Sequence, residues 1–170
     1  MKSKTIQLLL YCALTAFAGV ALAAGNHPDG DWHGNNNGIG KPGIPSMVDR
    51  SVIIHMKDGM RFIPEHLTVK RDETIRFLVK NIDEIEHEFV LGTAEELMEH
   101  SELMKKFPEM EHKNPNQVRV APGQVGEVVW HFTRPGMIAF GCLIPGHYET
   151  GMKGTVSVAT TIMKQRAEKR

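Results

Sequence analysis

Cys142, His147 and Met152 stand at five-residue intervals in the run Phe140-Gly-Cys-Leu-Ile-Pro-Gly-His-Tyr-Glu-Thr-Gly-Met152. The run lies between two strand-like segments, Gly136–Gly141 and Gly154–Val158. A thiol, an imidazole and a thioether so spaced meet only if the loop curls back on itself. Gly146 and Gly151 give the backbone freedom for that curl, because glycine enters the left-handed region without steric cost. The chain is thereby constrained to a fold in which two strands end together and a short loop wraps over their tips.

The rest of the chain supplies the strands such a fold needs. Ser51–Met56 reads as a strand, followed by a turn at Asp58-Gly59. His66–Lys70 and Thr74–Lys80 alternate apolar and polar residues, the mark of a sheet with one buried face. Glu88–Leu91, Gln117–Ala121 and Gly126–Phe132 add three more. One segment breaks the rhythm. Thr93-Ala-Glu-Glu96 has the form of a capping box, Leu97, Ser101 and Met104 then recur near one helical face, with Leu103 and Phe107 close by, and Pro108 ends the helix. About eight short strands with Gly/Pro turns and one helical insertion, near residues 93–116, predict an all-β Greek-key sandwich.

The N-terminal region is not expected to belong to that domain. Lys2 and Lys4 precede an apolar run from Ile6 to Val20, and Ala21-Leu22-Ala23 offers small residues where a signal peptidase reads. Residues 1–23 therefore read as a secretory signal, which directs the protein to the periplasm. No second apolar stretch of roughly 20 residues follows, so no stable membrane insertion is expected. Residues 24–49, rich in Gly, Asn and Pro, read as a flexible leader, 50–159 as the folded domain, and 160–170 as a basic, frayed tail. Basic and acidic residues number 20 each, and loss of Lys2 and Lys4 leaves 18 against 20, a net charge of about −2. That balance argues against nucleic acid as a partner.

Export changes the meaning of the cysteines. Cys12 falls within the signal, so the mature chain keeps one thiol, Cys142, in an oxidising compartment where it has no partner for a disulfide. A bound metal would protect it. Thiolate, imidazole and a weak thioether are the donors of a mononuclear type-1 copper site, which takes two imidazoles. His147 is one, and His87, at the start of the Glu88–Leu91 strand, is the best candidate for the other. Cys142, His147, His87 and axial Met152 thus form the expected ligand set. A binuclear site would need a second cysteine four residues after the first, where Gly146 stands.

The chain also has 10 Met and 9 His, generous for its length. His55, Met56 and Met60 are candidates for additional, weakly held copper. His27 is another, since cleavage after Ala24 would leave it third from a free amine, although the Ala-x-Ala pattern favours cleavage after Ala23. Met98 and Met104 are expected to pack the helix against the sandwich, with His100 and His112 in solvent. His131 and His66 are assigned no role.

Residues Ser51–Ala159 resemble the plastocyanin/azurin (cupredoxin) superfamily. The resemblance is carried by Met60-Arg-Phe-Ile-Pro64, His66-Leu-Thr-Val69, Asn81, His87, Pro122-Gly123, Phe140-x-Cys142 and the ligand loop. Within it, the chain is most similar to the CopI-type periplasmic cupredoxins linked to copper tolerance. The resemblance implies an eight-stranded sandwich with one copper at one end, and either a copper-tolerance role or soluble electron carriage, with a periplasmic redox or copper-trafficking protein as partner. Enzymatic oxidation of Cu(I) is disfavoured, because a single copper lacks the additional centres needed to reduce O₂ fully. One departure stands out. Many electron-carrying members place Asn, Ser or Thr directly after the first ligand histidine, and this chain has Glu88.

Overall fold

The computed structural model describes residues 38, 40–57, 59–107 and 114–160. The expected signal segment, His27, Pro108, Met110, His112 and the tail beyond residue 160 lie outside them. Ten strands are described: β1 (Lys41–Pro42), β2 (Arg50–Lys57), β3 (Arg61–Ile63), β4 (His66–Lys70), β5 (Thr74–Asn81), β6 (His87–Gly92), β7 (Gln117–Val120), β8 (Val125–His131), β9 (Gly136–Gly141) and β10 (Lys153–Ala159). Helix α1 (Ala94–Lys106) follows β6, and a single turn, α2 (His147–Thr150), precedes β10.

The strands form two five-stranded sheets, ordered β1-β8-β5-β2-β3 and β4-β10-β9-β6-β7. Each contains one parallel pair, β2 with β5 and β4 with β10, and is otherwise antiparallel. Alternation decides which side chains enter the core. Ile54 and Met56 of β2, Phe77 and Val79 of β5, and Val128 and Trp130 of β8 are buried from the first sheet. Phe89 and Leu91 of β6, Ile138 and Phe140 of β9, and Val156 and Val158 of β10 meet them from the second. Phe89 is the hub of the aromatic packing, with ring centroids 5.4 Å from Phe77, 5.2 Å from Phe140 and 5.9 Å from Phe62. Burying one such ring contributes about 1.5–3 kcal/mol.

Strand β6 departs from alternation, being buried at every position. The reason is α1, whose Leu97 packs with Val90 and Leu143, with Ala139 and Tyr148 alongside, and so covers the outer side of β6 and β9. The capping box forms as its sequence predicts: Glu96 N donates to Thr93 Oγ1 at 3.1 Å, and Thr93 N to Glu96 Oε2 at 2.8 Å. Glu95 and Glu96 in the first turn and Lys105 and Lys106 in the last complement the helix dipole. Leu97, Ser101 and Met104 are buried as expected, but Met98 is 61% exposed and does not pack against the sandwich. It lies one position from Leu97, about 100° round the helix, on the side turned away from β6.

Two strands exceed the expected eight, β1 and β3, of two and three residues. Residues 40–49 also differ from a flexible leader. Lys41 and Pro42 pair with His131 and Trp130, Gly43 N donates to Val129 O, and Asp49 Oδ2 accepts from Thr74 N at 2.7 Å. Glycine makes this approach possible, because a Cβ at Gly43 would stand 2.7 Å from Thr74 Cγ2 and 2.8 Å from Val129 Cγ1.

Candidate metal centre

The first histidine is positioned by a turn that Asn81 holds. Asn81 is buried at the end of β5, and its Nδ2 donates to Ile85 O at 2.7 Å and Val120 O at 2.8 Å, while its Oδ1 accepts from Asp83 N at 3.0 Å. Ile82 N donates to Met56 O, which fixes the other end of the turn. The folded turn brings the Asp83 carboxylate to 3.0 Å from His87 Nε2. With Nε2 engaged there, the fully buried His87 ring presents Nδ1 to the opposite side.

The loop from β9 to β10 closes on that nitrogen. Cys142 N donates to Met152 O, Met152 N to His147 O and His147 N to Ile144 O, each at 3.0 Å. Gly146 (φ 89°) and Gly151 (φ 109°) bracket α2 in the left-handed region, so the curl depends on glycine at both places. The result is a meeting of three side chains. Cys142 Sγ and His87 Nδ1 lie 3.3 and 3.2 Å from His147 Nδ1, and all three donor atoms lie within 4.8 Å of one another. Cys142, His87 and Met152 are fully buried, and His147 is half-buried.

Two features bind this loop to its surroundings. The amide of Glu88 donates to Cys142 Sγ at 3.4 Å, and the Glu88 carboxylate accepts from Leu143 N at 3.0 Å, so one residue grips both the thiol and the peptide after it. On the other side, Lys105 of α1 pairs with Glu149 at 2.7 Å, tying the inserted helix to α2.

The donor set fits copper. Burial pushes the Cys142 thiol up to about 12; the Glu88 and Ile144 amides and Arg119 pull it back in part, while the Glu88 charge adds to the rise. Burial likewise pushes His147 down, with His87 acting in the same direction and Asp83 and Glu149 opposing. A thiol pushed up by burial yields its proton to a soft, redox-active cation, because the thiolate is the form that binds metal.

Comparison with known proteins agrees. Residues 49–159 match the family model of copper-binding proteins of the plastocyanin/azurin family. The chain belongs to that family. It is 43% identical to the "Copper-resistant cuproprotein CopI" of Rubrivivax gelatinosus, over 93% of this chain and 99% of that protein. It is 31% identical to the protein of the same name from Vibrio cholerae, over 71% of this chain and 72% of that one. Among solved structures, auracyanin B superposes with a TM-score of 0.60 at 20% identity, covering 71% of this chain and 96% of that one. Auracyanin from Roseiflexus castenholzii gives 0.57 at 21%, covering 66% and 98%.

In this cupredoxin the four expected ligands fall into two groups. The side chains of His87, Cys142 and His147 converge, and Met152 is buried in the same core cluster as Cys142, its backbone bonded to both Cys142 and His147. Among the described residues, the other candidates are not brought to one point. His55 and Met56 are neighbours on β2 and face opposite ways: Met56 is fully buried in the core, while half-buried His55 stands opposite Ile63 and Lys80. Met60, after the Gly59 turn, is half-buried and packs against the same core. Met56 is thus turned into the core, on the opposite face of β2 from His55. His131 is half-buried, with Nδ1 2.9 Å from Thr74 Oγ1, and His66 meets Thr155 Oγ1 at the same distance. No helix among the described residues is long and apolar enough to cross a membrane.

Asp83 was not singled out by its sequence. Its only signal is a carboxylate four residues before a candidate ligand histidine, in a turn opened by Asn81. Glu88 attracted notice as a departure from related proteins, but its grip on Leu143 depends on a neighbour 55 positions away.

Proposed function

We propose that His87, Cys142 and His147, with Met152 as a fourth ligand, would hold one type-1 copper ion, and that the protein serves copper tolerance in the periplasm. The observation that carries this reading is the convergence of the three donor atoms within 4.8 Å of one another. Copper, when bound, supplies one-electron exchange between its two oxidation states. The chain supplies the rest: Asp83 sets the tautomer of His87, the Glu88 amide supports the sulfur, and the core excludes water from all but the half-buried His147. The tolerance role is supported by the name that the CopI relatives carry, and export by the signal-like sequence of residues 1–23. The protein is not an enzyme on this reading, and its partners are copper and a periplasmic redox or copper-trafficking protein.

A second reading, soluble electron carriage, is favoured by the partial exposure of His147, the one donor residue that reaches the surface. Deletion of the gene separates the two. Copper tolerance predicts a copper-sensitive strain rescued by the wild type and not by Cys142→Ala. Normal tolerance with impaired respiration supports the carrier instead.

A further inference from the structure

Two carboxylates stand directly behind the donor residues. Asp83, its side chain 12% exposed, holds His87 Nε2 at 3.0 Å. Glu88, its side chain 6% exposed, lies behind the Cys142 loop through Leu143 N at 3.0 Å. A charged carboxylate kept from water is costly unless it is paired or hydrogen-bonded. Arg119 lies 3.7 Å from Glu88 and at the same distance from Glu86, and its side chain is 39% exposed. A neutral acceptor would satisfy the Leu143 amide and the His87 ring nitrogen equally well.

We propose that Asp83 and Glu88 are positioning residues whose fixed negative charges, placed behind His87 and behind the loop after Cys142, bias the copper centre toward Cu(II). The proposal rests on the copper reading of the site and goes beyond it. Cu(II) carries one more positive charge than Cu(I), so two nearby anions in a water-poor setting stabilise it more. The half-reaction, Cu(II) plus one electron to Cu(I), then lies further toward the oxidised side. Asp83 acts through the ring, since an imidazole whose Nε2–H is given to a carboxylate is a stronger donor at Nδ1.

Asp83→Asn and Glu88→Gln keep an oxygen acceptor in each place and remove only the charge. Copper is titrated into each protein, the visible absorption recorded, and the potential measured by mediated redox titration. Each neutral variant is expected to keep its visible band and to lower the ratio of Cu(II) to Cu(I) affinity about tenfold, a potential about 59 mV higher. Arg119→Gln removes a cation and is expected to shift the potential the other way, by less. In the metal-free protein, amide exchange at Leu143 is expected to be unchanged in Glu88→Gln and faster in Glu88→Ala, which loses the acceptor. Variants that keep the band with an unmoved potential, an upward shift in Arg119→Gln, or Leu143 exchange unmoved by Glu88→Ala would overturn the proposal while leaving the copper site intact. A wild-type protein that takes up copper without a visible band would overturn the site and the proposal together.

Discussion

His87 and His147 meet ring to ring, Nδ1 to Nδ1, at 3.2 Å, although the two residues lie 60 positions apart in the chain. One proton at most fits between two such nitrogens, so at least one ring there is an acceptor. With Cys142 Sγ 3.3 Å from the same His147 atom, the site gathers lone pairs that a cation would share.

Copper should accordingly stabilise the fold. A ligand that binds only the native state at a free concentration a hundred times its Kd adds about 2.7 kcal/mol. Calorimetry of copper-loaded and chelator-treated protein is expected to show a higher Tm for the loaded form, and Cys142→Ala is expected to remove most of the difference. Equal Tm values with copper present and absent would contradict the geometry as a native-state site.

The aromatic hub carries a separate prediction. Phe89 touches the rings of Phe62, Phe77 and Phe140 across the two sheets and is fully exposed to none of the solvent. Phe89→Ala should cost about 3–5 kcal/mol in denaturant unfolding. A loss near that of an exposed substitution would mean that the sheets do not pack through this ring.

Gly154 tests the approach of β10 to its neighbours. A Cβ there would run into the Phe140 ring and the Glu65 carbonyl oxygen. Gly154→Ala should destabilise the protein by about 1–3 kcal/mol, as overpacking does. Gly123, whose added Cβ meets nothing within 4 Å, makes a control in which only the backbone conformation is strained.

Acid should weaken one tie of the first sheet. Burial by itself would raise the Glu73 carboxyl, but the hydrogen bonds from Arg50 and the Lys70 amide outweigh it and hold the group below its ordinary 4.5. A depressed native pKa means stability that is present above 4.5 and lost as pH falls through the native value. The stability gap between wild type and Glu73→Gln is expected to be widest near neutral pH and to close in acid. A gap that grows in acid would reverse the assigned direction.

Much of the sandwich was legible because one-sided burial writes itself as alternation, as in Thr74–Lys80. The helix announced itself through Thr93 and Glu96, whose reciprocal bonds span only three positions. β1 and β3 escaped because strands of two or three residues are defined by their partners, here β8 and β2, and not by a pattern of their own. Met98 was misplaced because a residue adjacent to a buried Leu97 has no periodic mark to say which side of α1 it takes. The same limit governs the site. Cys142, His147 and Met152 share one loop and could be read together, whereas the contacts of Asp83, Glu88 and Asn81 arise from turn geometry and from pairing between distant strands.

Visible absorption of the oxidised, copper-loaded protein bears on the central claim most directly. A thiolate bound to Cu(II) gives an intense sulfur-to-copper charge-transfer band, and the account predicts that band in the wild type and its loss in Cys142→Ser at equal copper loading. Copper bound with no such band, or a band that survives in Cys142→Ser, would contradict it.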